Sequence, residues 1–362
     1  MRMYRAGLRE LRLLYASKPK WYFRAVEKAL TQIVESYIGL FGAKKFMFGL
    51  ASPVFFDGLA ASAYLDELEG GATSIIATIL KDFIRPEMGL AVVGGKKPKG
   101  YKVPEELDRV AEIFGFDEKT LAALKYASRM VAKVDSAAIQ DGFELYIHLM
   151  IVSEDGEWVI IQQGLKPVTN LVRRYHWASI NLRSFVEEPH SGIVSTERQD
   201  LVIDMTNRES SEARITCVEA VNSDLPSLRK LYERLPPGQS TLLDFDAHEG
   251  RKCPFSIPKI KWSTLLKINR NAPTSFEELL SLQGVGPATI RFLAAASIEL
   301  YDVYPSLNDP AILFREVPMR MGEDKWLYEL VDAIKSSGLS FIEKKKSLSR
   351  LSNVFRVLED FS

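Results

Sequence analysis

Residues 143–163 read FELYIHLMIVSEDGEWVIIQQ. Two runs rich in β-branched and aromatic residues, 143–152 and 158–163, flank Ser153-Glu154-Asp155-Gly156-Glu157, and an Asp-Gly pair between such runs is the mark of a tight turn. Two antiparallel strands are expected, and pairing back from the turn sets Gln162 or Gln163 opposite Ile147 to Tyr146. The surroundings are unusually polar for strand. Three of the four histidines (His148, His176, His190) fall between positions 133 and 190, with Lys133, Asp135, Gln140, Asp141, Gln162, Gln163, Arg174 and Tyr175. A buried polar group costs free energy unless it is paired, so a core built for stability alone would not collect so many. These eleven residues form the candidate catalytic set.

The flanks change period. Residues 21–40 place Phe23, Val26, Leu30, Ile33, Val34 and Tyr37 on one helical stripe. A second helix is expected after Ser52-Pro53, with proline in its first turn, and a third between Thr73 or Ser74 and Phe83. The aromatics of this region (Trp21, Phe23, Phe46, Phe48, Phe55, Phe56) are read as core. Leu90 to Val93 look like a short strand followed by a Gly94-Gly95-Lys96-Lys97 turn. Glycine N–H groups and the charge of Lys96 and Lys97 would suit a phosphate there, and a solvated hairpin is the alternative. Residues 105–131 and 207–235 are helical again, the first broken near Gly115 and Asp117. Residues 241–262 show no period and read as a linker with a basic tail (Arg251, Lys252, Lys259, Lys261). Residues 262–362 are helical, with Gly322 and Gly338 as breaks and Lys344-Lys345-Lys346 as a solvated face. The expected fold class is α+β, mostly helical: a helical region 1–130, a central α+β region 131–205 with a small antiparallel sheet, a helical segment and linker 206–262, and a helical domain 263–362.

Residues 273–294, PTSFEELLSLQGVGPATIRFLA, fit a helix-hairpin-helix. Thr274 with Glu277, or Ser275 with Glu278, makes a capping box. Leu279, Leu280 and Leu282 face Ile290, Leu293 and Ala294 of the second helix. Gly284, Val285 and Gly286 form the hairpin, whose backbone N–H groups sit at a helix N-terminus and suit a nucleic-acid phosphate without reading sequence. Thr289 and Arg291 would add side-chain contacts. In base-excision glycosylases built on this motif a catalytic Lys can follow the hairpin and an Asp lies further on. Here Ala288 and Asp309 (in PSLNDP) stand in those places, so lyase chemistry is not expected.

Composition bounds the partners. Lys plus Arg and Asp plus Glu are 47 each, so nucleic-acid binding has to come from local patches. Cys217 and Cys253 form no metal pattern and are expected as reduced thiols of a cytoplasmic protein. The basic, amphipathic N-terminus lacks the apolar core and cleavage site of a signal peptide, and no run of about 18 apolar residues exists to span a membrane.

The motifs KVDSAAIQDG, LYIH, WVIIQQG, RRYHW and EEPH, then LQGVGPATIRFLAAASIELY and YPSLNDP, resemble the mainly archaeal, thermophile-rich family catalogued as domain of unknown function seven-six-three. The balanced, highly charged composition is in keeping with a thermophile. The chain departs from the family pattern at Ile147, where a second histidine is usual. It departs also at Ala288, where the hairpin tends to carry a lysine, and after Pro310, where a Gly/Lys-rich stretch is absent. The resemblance implies no assigned reaction; its helix-hairpin-helix implies nucleic-acid handling.

Three chemistries fit the central block. His176 and His190, with Lys133 or Arg174, offer base, acid and cation for phosphodiester cleavage. Asp135, Asp141 and Glu144 are candidate ligands for Mg²⁺ or Mn²⁺. Gln162, Gln163 and Tyr175 or Trp177 could bond and stack a flipped or single-stranded base. The expectation is a DNA-processing enzyme, a repair nuclease acting on single-stranded, junction or damaged DNA. The alternatives are a non-catalytic DNA-binding accessory protein of repair or recombination, or a base-recognising repair enzyme.

Overall fold

The computed structural model describes residues 19–65, 71–96, 102–166, 169, 171–195, 197–235, 252–313 and 323–359. In chain order come α1 (Lys20–Phe41), α2 (Ala43–Gly49), α3 (Pro53–Ser62), α4 (Ala72–Phe83), β1 (Leu90–Lys96), α5 (Val103–Phe114) and α6 (Glu118–Lys133). The strands β2 (Ile139–Gln140), β3 (Glu144–Ser153), β4 (Trp158–Lys166), β5 (Leu171–Ala178), β6 (Gly192–Ser195) and β7 (Ile203–Asp204) follow. Then come α7 (Ser211–Ser223), α8 (Leu225–Glu233), α9 (Trp262–Asn271), α10 (Phe276–Ser281), α11 (Pro287–Tyr301), β8 (Ile312–Leu313), α12 (Glu323–Ser336) and α13 (Phe341–Glu359). The fold is α+β and mostly helical, with a central sheet. No described helix is long and apolar enough to cross a membrane.

The sheet runs β1-β3-β4-β5-β6 with antiparallel neighbours, and β8 joins β6 in parallel. The β3–β4 hairpin turns through Gly156, and His148 lies opposite Gln162 and Ile147 opposite Gln163. Because side chains alternate across a strand, the sheet feeds two cores. Met150, Trp158, Ile160, Tyr175 and Trp177 pack toward α5 to α11, while Ile147, Leu149, Val159 and Ile161 pack toward α1 to α4 with α12 and α13. The last two helices thus share a layer with the first four.

Local chemistry explains several boundaries. Ser52 caps α3 with Pro53 in its first turn, and the Asp117 carboxylate accepts from the Thr120 N–H at 2.7 Å to start α6. The first turn of α4 begins after Gly71, not on a Thr73 or Ser74 cap. Two expectations are corrected. Gly94 and Gly95 do not make a phosphate turn: they lie in β1, paired with Leu149 and His148. The Gly94 N–H already donates to Glu106 at 2.6 Å. Gly94 has φ +83°, and a Cβ there would fall 2.2 Å from the His148 carbonyl oxygen, so glycine is required by close approach of the strands. Lys96 is the exposed end of the strand, and Lys97 lies outside the described residues. Residues 252–261 are not a solvated linker either, because Cys253, Phe255, Ile257 and Ile260 are buried in the core beneath α11.

Candidate active site and nucleic-acid interface

After Lys133 the chain widens into one π-helical stretch, Val134–Ala138, before β2. Such irregularities re-aim a side chain relative to the α-helix before them. Here the fully buried side chain is Asp135. Its Oδ1 bonds His190 Nε2 at 2.6 Å, and its Oδ2 accepts from Gln162 Nε2 at 2.5 Å and Trp177 Nε1 at 3.0 Å. Gln162 Oε1 in turn meets His148 Nδ1 at 2.7 Å, and His148 Nε2 meets Ser128 Oγ at 2.9 Å. Burial lowers the His148 pKa, so the ring is held neutral. One chain of bonds therefore joins Ser128, His148, Gln162, Asp135 and His190.

The His190 ring closes this chain at the floor of a cleft of about 540 Å³, lined also by Ser52, Arg183, Ser184, Glu188 and Arg208. With Nε2 engaged by Asp135, Nδ1 is the ring nitrogen without a described partner, which is the arrangement of a base held and oriented by a carboxylate. Arg183 is exposed and makes no ion pair with a described residue. Among the described residues, five non-glycine residues have positive φ, and two of them, Asn181 and Glu188, line this cleft. Backbone held in that region costs free energy and gathers at functional sites. A second cleft, of about 840 Å³, runs beside α10 and shares Ser184 and Glu187 with the first.

The rest of the polar block is spent inside the protein. Arg173 bonds Asp141 at 2.8 Å and Asp309 at 2.5 Å, Tyr175 donates to Asp141 at 2.6 Å, and Phe143 lies under the guanidinium. Burial raises the Asp141 pKa, opposed by Arg173, and raises that of Tyr175 further. On the other face of β5, Arg174 donates to Asp57 at 2.8 Å and to His176 Nε2 at 2.7 Å, while His176 Nδ1 meets the Leu50 carbonyl at 2.9 Å. With one nitrogen accepting and the other donating, His176 is neutral, and burial, then Arg174, push its pKa well below the ordinary range. This ring has no nitrogen left to act as base. Gln163 is buried and bonds the Tyr146 hydroxyl. Tyr175 and Trp177 are buried too, so neither can stack a base.

The carboxylates Asp135 and Asp141 serve these separate networks and Glu144 is exposed. Among the described residues no three His, Cys, Asp or Glu side chains are placed to hold a metal ion. The residues present therefore do not fit the expected Mg²⁺ or Mn²⁺ ligand set.

The α10–α11 pair is a hairpin of helices. Ser275 accepts from the Glu278 N–H at 3.1 Å and Glu278 accepts from the Thr274 N–H at 2.8 Å, so the box uses Glu278. Gly284 is exposed with φ +92°, and a Cβ on Gly284 or Gly286 would meet open space. Behind the turn stands Lys133, whose ammonium donates to the carbonyls of Leu280 and Leu282 at 2.7 Å and of Val285 at 3.2 Å. Gln140 Nε2 donates to the Pro287 carbonyl at 3.0 Å. Lys133 is thus a clamp that holds the hairpin's carbonyls inward and not a free cation; burial and the nearby Arg129 lower its pKa to about 8. Two expected phosphate contacts are withdrawn. Thr289 is buried, and Arg291 is buried over Phe255 with its Nε on the Ser256 carbonyl at 2.9 Å. Val285 is buried as well, so only the backbone of the turn faces out.

The sequence reading missed Arg173, Ser128 and Arg183. The Arg173-Arg174 pair did carry a signal, since strand alternation sends two adjacent residues to opposite faces. Ser128 and Arg183 carried none.

A family model described as "Protein of unknown function (DUF763)" matches residues 7–317. No curated protein and no solved structure matches the chain.

Proposed function

Since the chain belongs to the family of proteins of unknown function DUF763, we infer its role from its own site and propose a cytoplasmic DNA-processing enzyme that cleaves phosphodiester bonds. The observation that carries this reading is the Asp135–His190 pair at 2.6 Å, on a histidine that lines a cleft sharing Ser184 and Glu187 with the cleft along α10. The backbone of a strand would lie on the Gly284-Val285-Gly286 turn, held by the Gly284 and Gly286 N–H groups as a phosphate is at a helix N-terminus; the Val285 N–H donates to the Leu282 carbonyl. In the His190 cleft, Nδ1 would take the proton of a water whose oxygen attacks phosphorus. Asp135 would stabilise the imidazolium, Arg183 would offset charge on the phosphoryl oxygens, and the imidazolium would return the proton to the leaving oxygen. The two free, buried cysteines are compatible with a reducing compartment.

A denaturing gel tests it, with labelled single-stranded, duplex, forked, uracil- and hypoxanthine-containing DNA incubated with the protein in Mg²⁺, in Mn²⁺ and in EDTA. We expect one substrate class to be cut, His190→Ala to lose at least roughly a hundredfold in rate, and Gly286→Asp, which has room for the side chain, to lose affinity. Intact DNA in every lane with a shift on a native gel would replace this reading with a non-catalytic DNA-binding accessory protein. One observation favours that second reading: Lys133, Arg173 and Arg174 are all committed to internal bonds.

A further inference from the structure

A third cleft, of about 360 Å³, lies between α6 and the β3–β4 hairpin and shares no lining residue with the other two. Its volume falls in the range of small-ligand pockets. Ser128 and Ala132 of α6 and Ser136 of the π-helical stretch after it present small side chains to it, while Leu145 of β3 forms the opposite wall with Val103 and Pro104. Apolar walls on two sides accept the faces of a flat ring. Its polar lining comes from Ser128, His148 and Gln162, already fixed by their mutual bonds and by Asp135 behind them. Such a pre-oriented polar edge suits the rim of a heterocycle, which carries donors and acceptors in the ring plane. Two cations stand on the same helix. Lys125 is paired with Asp108 at 2.5 Å, but Arg129 is exposed, rests over the Tyr126 ring at 5.5 Å, and meets no carboxylate among the described residues. A guanidinium left unpaired beside an apolar slot is placed for a phosphate. Arg129 stands one helical turn before Lys133 on α6, so this cleft adjoins the hairpin that Lys133 clamps.

We propose that the α6–β3 cleft binds a nucleotide, the base between α6 and β3 with its edge on the Ser128 hydroxyl oxygen, which His148 holds in place, and the phosphate on Arg129. This rests on the DNA reading for its place in the reaction: a base turned out of a strand held at the hairpin would enter here, making the cleft the element that selects the substrate. The binding itself does not depend on cleavage.

Titration calorimetry of the full chain with each deoxynucleoside monophosphate, the matching nucleosides and inorganic phosphate tests it. We expect at least one monophosphate to bind roughly tenfold or more tighter than inorganic phosphate. Arg129→Gln should weaken the monophosphate by roughly tenfold and leave its nucleoside unchanged. Ala132→Trp, at a half-buried lining position, should abolish both; Ser136→Leu is the second plug if that variant melts early. Gly286→Asp should bind mononucleotides as the parent does. The proposal is overturned by the absence of saturable heat with every nucleotide, by unchanged binding in a folded plug variant, or by loss confined to Gly286→Asp. Free mononucleotides contain no internucleotide bond, so failure of cleavage at His190 would leave this outcome untouched.

Discussion

His176 and His190 sit in two regions of the same polar block and have opposite surroundings. His176 is enclosed between an arginine and a backbone carbonyl, with both ring nitrogens committed. His190 has one nitrogen on a buried carboxylate and the other without a described partner, in a cleft bordered by Arg183, which is exposed and makes no ion pair with a described residue. The difference teaches that abundance of polar groups does not locate a site; an uncommitted atom on a residue that lines a cleft does. Arg173, Arg174 and His176 tie β5 to the loops and helices around it, whereas Asp135 and Trp177 hold a largely buried ring at the lining of a cleft.

The sharpest break of that comparison is Arg173→Met. It leaves Asp141 and Asp309 buried without their cation, and loss of one partner of a buried pair costs about 3–5 kcal/mol. Urea denaturation should show this, and a midpoint close to the parent's would mean that the enclosed region is not the structural clip described. Asp135→Asn tests the other region. With His190 no longer held against a carboxylate, cleavage should fall roughly a hundredfold at unchanged KM, read by single-turnover kinetics on whichever substrate is cut.

Lys133→Met joins the two regions to the hairpin. Loss of three carbonyl bonds loosens the turn, and DNA affinity should fall roughly tenfold. Since Lys133 touches no phosphate, the slope of affinity against salt should be unchanged, and a slope reduced by a full charge would make the lysine a direct contact. The smallest effect concerns pH. His176 and His148 have pKa values depressed by burial, so the folded chain keeps them neutral while the unfolded chain takes up protons below about pH 6.5. Their contribution to stability is present above that value and is lost as pH falls toward the depressed folded values. Denaturation midpoints at about pH 7.5 and about pH 5.5 should differ in that direction, and ring-nitrogen shifts should show His176 neutral at both.

Much of the fold was legible in local signals. Asp155-Gly156 and its flanking runs announced the β3–β4 hairpin, Pro53 announced a helix start, Gly115 and Asp117 the break between α5 and α6, and Ser275-Phe276-Glu277-Glu278 announced α10, because caps and tight turns depend on residues within one turn of each other. The Gly94-Gly95 reading failed because glycine serves both turns and close strand approach, and only the His148 carbonyl of a neighbouring strand distinguishes the two. The strap at residues 252–261 was missed because no period marks chain that is buried without regular structure.

The candidate site divides along the same line. From sequence alone came the composition of the block, the presence of a glycine hairpin and a strand pairing that set Gln162 or Gln163 opposite Ile147 to Tyr146; the structure sets Gln163 opposite Ile147 and Gln162 opposite His148. Which histidine keeps a ring nitrogen without a described partner, that Lys133 holds the hairpin from 147 residues away, and that Asp309 balances Arg173 across the chain were decided by tertiary structure only. Those contacts join residues whose separation along the chain carries no periodic signal, and they form only when the two cores close on the sheet between them.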